Sequence, residues 1–190
     1  KKRDAYPLLE AAIKELENVP QYQKKQEEYK LTYGKIISNM GSYYYQRKEY
    51  EEALKWHKKA LEFRKISLPD RVMDSYRTIM SDYFCMKQYE KGYETYREAV
   101  KKTQPDALFL VRAIGCELCL LKEKKEENLE KQILEELPVQ IERVVELAVS
   151  NRRMNVGVLK DLQKKLEELE AWTELQELVK EYRTKIEEYL

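Results

Sequence analysis

Residues 41–60 read GSYYYQRKEYEEALKWHKKA, and a related pattern returns 39 positions later in residues 80–99, MSDYFCMKQYEKGYETYREA. The two stretches place tyrosines and small residues at matching positions: Tyr44 and Tyr83, Tyr50 and Tyr89, Ala53 and Gly92, Ala60 and Ala99. Internal repeats of this length are typical of solenoids, in which each unit packs only on its neighbours. The sequence therefore predicts a stack of repeated units.

Each repeat has the pattern of two packed helices. The first apolar stripe recurs at i, i+3, i+4 and i+7 and consists of Ile37, Met40, Gly41 and Tyr44. The next segment continues with Ala53, His57 and Ala60 at i, i+4 and i+7. We expect Gly41 and Ala53 to let two antiparallel helices approach closely. The second repeat offers Tyr76, Ile79, Met80 and Tyr83, followed by Gly92, Tyr96 and Ala99.

Helix signals continue along the whole chain, and strand signals are absent from the sequence. Four prolines, at positions 20, 69, 105 and 138, stand where helices would begin. The predicted helices cover residues 4–18, 21–47, 49–66, 69–87, 89–103, 106–122, 126–136, 139–151, 155–170 and 172–189. We therefore predict an all-α fold of antiparallel helix pairs.

Composition narrows the class of protein. The 36 basic and 35 acidic residues leave a formal charge of +1, which argues against direct contact with nucleic acid by this segment. No apolar run reaches the roughly 18 residues of a membrane span, and no secretory leader is visible. Three cysteines do not suggest a disulfide framework, so a cytoplasmic location is expected. The chain begins without Met, and we expect it to be a fragment of a longer protein.

Gly41, Tyr44, Ala53 and Ala60 resemble the pattern of the tetratricopeptide repeat (TPR). The second unit matches through Tyr83, Ala99 and Pro105, and departs from the pattern at Met80 and Gly92. The resemblance implies a right-handed α-solenoid in one domain over residues 1–190. The clearest repeats lie at about 34–66 and 73–105, a divergent stretch covers 106–154, and a final repeat falls at 155–190. It also implies a protein-binding module that is not an enzyme.

In this repeat family the first helix of each pair lines a concave groove. Carried over residue by residue, the groove would contain Lys35, Ser38, Asn39, Ser42, Tyr45, Asp74, Arg77, Thr78, Ser81, Phe84, Phe109 and Arg112, and Cys116 and Cys119 would follow them in the third unit. Asn39, Arg77 and Arg112 would form a polar track, and Tyr45, Phe84 and Phe109 an aromatic edge. Such a surface suits an extended peptide, although a solvated face with ion pairs such as Asp74 to Arg77 is the alternative.

Two functional interpretations stay open. The repeats are longer than the common form of about 34 residues, and in this Lys- and Tyr-rich chain they resemble the sensor halves of bacterial peptide-pheromone receptors, the Rap/PlcR-type regulators. That resemblance implies quorum sensing and transcription regulation in response to a peptide. The alternative is a constitutive protein–protein scaffold. A co-chaperone clamp for terminal carboxylates is disfavoured, because Asp74 and Thr78 stand where Lys and Arg would be needed.

The remaining candidate residues have structural interpretations. His57, the one histidine, is expected to be a hydrogen-bonded core residue, because no catalytic neighbours accompany it. Cys116 and Cys119 share one helix face but lack the further ligands of a zinc site, so no metal or other cofactor is predicted. The amphipathic segment 164–190 is predicted to be the last packed pair, with a homodimer contact as the alternative for part of its apolar face.

Overall fold

The repeats are helical in the computed structural model, which describes residues 5–123, 127–150 and 156–190. The α-helices are α1 (Tyr6–Glu17), α2 (Gln21–Lys24), α3 (Glu27–Gln46), α4 (Tyr50–Ser67), α5 (Val72–Cys85), α6 (Tyr89–Lys102), α7 (Ala107–Glu123), α8 (Glu127–Val149), α9 (Val156–Leu169) and α10 (Gln176–Glu187). Short 3-10 turns at Pro69–Arg71 and Thr173–Leu175 precede α5 and α10. The described ranges contain no strand, and the predicted all-α fold is confirmed.

The chain divides into two compact units, Lys1–Gln88 and Tyr89–Leu190. In the first unit, α3 packs against both α1 and α4, and α4 packs against α5. One cluster of its core is formed by buried side chains from α1, α3 and α4: Ile13, Tyr33, Ile37, Met40 and Ala60. Consecutive helices therefore pack in sequence order, as the repeat pattern predicts. The second predicted pair, α5 with α6, falls on either side of the boundary between the units.

The second unit is built around α7 and α8. α7 packs on α6, α8 and α9, while α10 packs on α8 and α9. The apolar residues of segment 164–190 that are buried inside this unit are Leu166, Leu169, Leu175, Val179, Tyr182 and Ile186. Their burial agrees with a final packed pair, and the homodimer contact stays a prediction.

Gly41 and His57 fix the approach of α3 to α4. A Cβ atom on Gly41 would lie 2.3 Å from Cδ2 of His57, so only glycine fits between the helices at this point. His57 is 2 % exposed, and its Nδ1 lies 2.6 Å from Oδ2 of the fully buried Asp82 on α5. Burial raises the pKa of Asp82, while the hydrogen bond and charge of His57 oppose that rise. The predicted core histidine is confirmed, and it ties α4 to α5.

Two predicted helix boundaries are wrong. Residues 126–136 and 139–151 are not two helices, because α8 runs from Glu127 to Val149 with Pro138 inside it. The buried residues Ile133, Leu137 and Ile141 continue one apolar stripe across the proline, and their packing outweighs the lost hydrogen bond. The predicted helix 21–47 is interrupted at Gln26, whose ψ of 140° is extended. The predicted helix ends at 4, 126, 151 and 155 lie outside the described residues.

Among the described residues, no helix combines the length and apolar character needed to cross a bilayer.

Candidate binding surface

The predicted binding residues of the first unit lie in two rows, one on α3 and one on α5. In the α3 row, Lys35 and Asn39 are exposed, one turn apart, while Ser38, Ser42 and Tyr45 are half-buried. The hydroxyl of Ser42 donates to the Ser38 carbonyl at 3.2 Å, so it is already engaged within its helix. The side chains of Lys35 and Asn39 make no hydrogen bond or ion pair with any residue in the described ranges. These two side chains are therefore available to a ligand.

The α5 row is more heavily engaged with its own helix. Arg77 donates to Asp74 at 3.5 Å, so the ion pair expected from the sequence is present. Thr78 donates to the Ser75 carbonyl at 2.9 Å, and Ser81 donates to the Arg77 carbonyl at 2.9 Å. Phe84, at the end of the row, keeps 38 % of its surface exposed. The hydroxyls of this row therefore serve the helix backbone.

The two rows come together at their C-terminal ends. The hydroxyl of Tyr45 on α3 lies 3.2 Å from Sγ of Cys85 on α5, and the Tyr45 ring packs edge-on against Tyr50. One face of the first unit therefore carries side chains from both α3 and α5. We call the surface that consists of the α3 row and the α5 row the α3–α5 face.

The predicted binding residues on α7 belong to the second unit, and one of them, Phe109, is not on the surface. Phe109 is fully buried and packs against the Tyr96 ring at a centroid distance of 6.1 Å, so it forms no part of an exposed aromatic edge. Its backbone N–H donates to Oδ1 of Asp106 at 2.8 Å, and this hydrogen bond caps the start of α7. Arg112 is exposed, and its predicted binding role stays a prediction.

The paired cysteines of α7 are packing residues. Cys116 is fully buried, and burial raises the pKa of its thiol to about 12, which leaves the sulfur protonated and unreactive at neutral pH. Cys119 is half-buried, and its side chain is hydrogen-bonded to Tyr89. No group of three His, Cys, Asp or Glu side chains suitable for a metal ion occurs within the described ranges.

A pocket of about 270 Å³ opens beside the Lys35 end of the α3–α5 face. It is lined by Leu31, Gly34, Lys35, Arg64, Leu68, Arg71 and Asp74. A second depression adjoins it and shares Leu31, Leu68 and Arg71. Three of the lining side chains of the first pocket are basic and one is acidic, so the pocket is cationic. The sequence prediction included Lys35 and Asp74 but missed the pocket itself.

Arg64 is the buried charged residue of this pocket, with 8 % of its surface exposed. Nη1 donates to Oγ of Ser75 at 2.9 Å, Nη2 makes a long contact of 3.5 Å with the Gly34 carbonyl, and Nε has no partner. Burial lowers the pKa of Arg64, the nearby Asp74 raises it, and Arg71 lowers it further. One sequence signal marks Arg64, because it extends the buried stripe of Ala53, His57 and Ala60 by one more turn.

The helix pair that carries these features has a counterpart among known families. Residues 35–71 match the family model described as Tetratricopeptide repeat. This TPR match covers most of α3, the whole of α4 and the turn before α5, and it contains Lys35, Asn39, Arg64 and Arg71. With the helical fold, the match supports one TPR-like repeat in this part of the chain, and such repeats typically form protein-interaction modules. No curated protein matches the chain.

Proposed function

We propose that the α3–α5 face of the first unit binds an extended segment of a peptide or partner protein. The proposal rests on one observation: the side chains of Lys35 and Asn39 have no hydrogen-bond or ion-pair partner among the described residues. Both are exposed on α3 beside a cationic pocket. A side-chain amide offers both donors and an acceptor, so Asn39 can bond the N–H and C=O of an extended backbone. Tyr45 and Phe84 supply apolar ring surface at the other end of the face.

In its most specific form, the proposal makes this chain the ligand-sensing half of a cytoplasmic transcription regulator that responds to a signalling peptide. Binding would favour one arrangement of the helices over another and so change the activity of an attached output domain. The alternative is a constitutive scaffold. The face suits both, because a peptide and a partner loop offer the same backbone groups to Asn39.

The binding proposal is tested by selecting random short peptides on the intact chain and measuring their affinity for variants. Asn39→Ala and Arg77→Ala should each weaken binding by about tenfold, the value of one lost hydrogen bond pair in a partly shielded site. Asn18→Ala makes the same change at an exposed asparagine at the end of α1 and serves as the control. Unchanged affinity in Asn39→Ala would show that the peptides bind elsewhere.

Two measurements separate the sensor from the scaffold. Small-angle scattering with and without a selected peptide should show a changed radius of gyration for a sensor and an unchanged one for a scaffold. The coding sequence upstream of Lys1 should specify a helix-turn-helix output domain if the chain regulates transcription. Further repeats at that position would favour the scaffold.

A further inference from the structure

Arg64 is a buried cation without a carboxylate partner among the residues that the structure describes. The buried His57 and Asp82 face each other at 2.6 Å, whereas Arg64 has only neutral hydrogen-bond partners, Ser75 and Gly34. Removing a charge from water without a counter-ion is costly, and such groups in proteins are normally paired. The position therefore calls for an anion that the chain itself does not supply.

The unused hydrogen-bonding capacity of Arg64 lies on one edge of its guanidinium. Nη1 is engaged with Ser75, whereas Nε has no partner and Nη2 has only the long contact with Gly34. Nε and Nη2 together form the side edge of the group, which carboxylates bind through two parallel hydrogen bonds. This edge is therefore the part of Arg64 that a ligand would complete.

The surroundings of Arg64 favour a singly charged carboxylate on an apolar stem. Lys35 and Arg71 add positive charge to the pocket, while Leu31 and Leu68 supply apolar walls. Asp74 also lines the pocket and would repel a doubly charged phosphate more strongly than a carboxylate. The carboxylate of Asp74 forms ion pairs with Arg77 at 3.5 Å and with Arg71 at 4.0 Å, and it makes no direct ion pair with Arg64.

We infer that this pocket binds the carboxylate of an acidic side chain carried by the partner segment, an inference that rests on the proposed function of the α3–α5 face. The carboxylate accepts hydrogen bonds from Nε and Nη2 of Arg64, and Lys35 and Arg71 add long-range attraction. Nε lies beneath the pocket surface. A carboxylate that reaches Nε therefore requires side chains that line the pocket to move aside.

The test uses three peptide probes and nuclear magnetic resonance of the intact chain. Acetyl-Leu-Glu-Leu-amide offers a side-chain carboxylate, acetyl-Leu-Gln-Leu-amide is its neutral isostere, and acetyl-Leu-Gln-Leu with a free C-terminus offers a terminal carboxylate. The Glu peptide should shift the Nε–H signal of Arg64 and the methyl signals of Leu31 in a saturable manner. The Gln amide should bind at least about tenfold more weakly, since it loses a charge-assisted bidentate contact.

Three outcomes would overturn the inference. Equal signal shifts from the Glu and Gln amides would show that the pocket does not recognise the negative charge of the glutamate side chain. A response to the free C-terminus alone would assign the site to a chain end, and an equal response to inorganic phosphate would make it a general anion site. If peptides selected on the α3–α5 face respond to Asn39→Ala but not to their own acidic residues, the pocket inference fails while the proposed function stands.

Variants separate binding from a purely structural role of Arg64. Arg64→Leu should keep the chain folded, with an unchanged or higher melting temperature, and should abolish the preference for the Glu peptide over the Gln peptide. The double variant Lys35→Ala, Arg71→Ala alters only exposed side chains and should weaken the Glu peptide several-fold without loss of structure. Unfolding by Arg64→Leu, together with unchanged Glu affinity in the double variant, would make Arg64 structural and overturn the inference.

Discussion

At Gly41 a single hydrogen atom faces the ring of His57. Gly41→Ala would place a methyl group within 2.3 Å of Cδ2 and 2.5 Å of Nε2 of that ring. The ring cannot turn away easily, because its Nδ1 is held by the buried carboxylate of Asp82. We expect the substitution to lower the free energy of unfolding by about 1–3 kcal/mol, the usual effect of overpacking a core. Urea denaturation followed by circular dichroism measures this change.

Gly157 offers a matched control for this prediction. It lies near the start of α9, and a Cβ atom there would meet nothing within 4 Å. Gly157→Ala should therefore stabilise the chain by up to about 1 kcal/mol through the lower backbone entropy of alanine in the unfolded state. The opposite signs of the two alanine substitutions isolate the steric contact with His57. A neutral Gly41→Ala would mean that α3 and α4 can separate slightly at little energetic cost.

Residue chemistry explains which buried polar groups were predictable. The sequence predicts His57 as a core residue, because no catalytic neighbours accompany it and it lies on one stripe with Ala53 and Ala60. Arg64 lies on the same stripe, yet arginine is usually a surface residue, and its long aliphatic stem can pass through a core that its head group would not enter alone. The pattern alone did not indicate that Gly34 and Ser75 would receive its guanidinium.

At the scale of elements, two identical turns close α3 and α5. Lys48 and Lys87 both adopt positive φ, at 64° and 58°. The N–H groups of Lys48 and Glu49 bond to the carbonyls of Tyr45 and Tyr44, both at 3.0 Å, and the turn after α5 repeats this arrangement. This is the Schellman arrangement, which normally places glycine at the left-handed position. Part of the 39-residue period therefore encodes the end of a helix.

Glycine at these turns should stabilise the chain. Lys48→Gly and Lys87→Gly each remove the strain of a Cβ atom in the left-handed region, and we expect a gain of up to about 1 kcal/mol per site. Chemical denaturation of the single variants tests this expectation. Gln46→Gly, at the last residue of α3, is the control and should cost up to about 1 kcal/mol. If Lys48→Gly behaves like Gln46→Gly, the lysine side chain stabilises the turn by contacts that outweigh the strain.

At Pro138 the packing of the helix outweighs the tendency of proline to end a helix. A proline normally marks a helix boundary, and the boundary predicted here is wrong because the buried stripe of α8 continues on both sides of it. Pro138→Ala restores an N–H that can bond the carbonyl of Leu134, four residues earlier. We expect it to raise the free energy of unfolding by about 1–3 kcal/mol.

Urea denaturation of Pro138→Ala beside Glu135→Ala provides the comparison. Glu135 is an exposed neighbour on the same helix. Its replacement by alanine should change the free energy of unfolding by well under about 1 kcal/mol. A loss of stability in Pro138→Ala would show that the half-buried proline ring contributes packing that outweighs its missing hydrogen bond.

At the scale of the whole molecule, the repeat period and the apolar stripes were sufficient to predict the helical class and the packing of α3 on α4. They were not sufficient for binding residues, because a position in a repeat does not say how deeply a side chain lies. Phe109 illustrates this limit: the repeat pattern assigned it to the groove, and the structure buries it against Tyr96. The pocket at Arg64 was missed for the related reason that three helices, α3, α4 and α5, and the 3-10 turn before α5 build it together.

Each unit also contains a buried carboxyl group with a raised pKa, and this shapes the stability of the whole chain. Burial raises the pKa of Glu117 from 4.5 to about 8, although the hydrogen bond from Gln140 opposes the rise. The folded state therefore holds a proton that the unfolded state releases above pH 4.5. The stabilising contribution is complete below about pH 4.5 and is lost as the pH rises through about 8, at about 1.4 kcal/mol per pH unit.

Glu117→Gln should remove this dependence, because glutamine resembles the protonated carboxyl and cannot ionise. Urea denaturation at about pH 5, 6.5 and 8 should show the wild-type chain losing roughly 3–5 kcal/mol relative to the variant across the range. The contribution of Asp82 cancels in this difference, since both chains retain it. Glu167→Gln makes the same change at an exposed glutamate of the second unit and should follow the wild-type profile. Parallel profiles for the wild type and Glu117→Gln would mean that Glu117 ionises in the fold near its ordinary pKa, with water reaching its side chain.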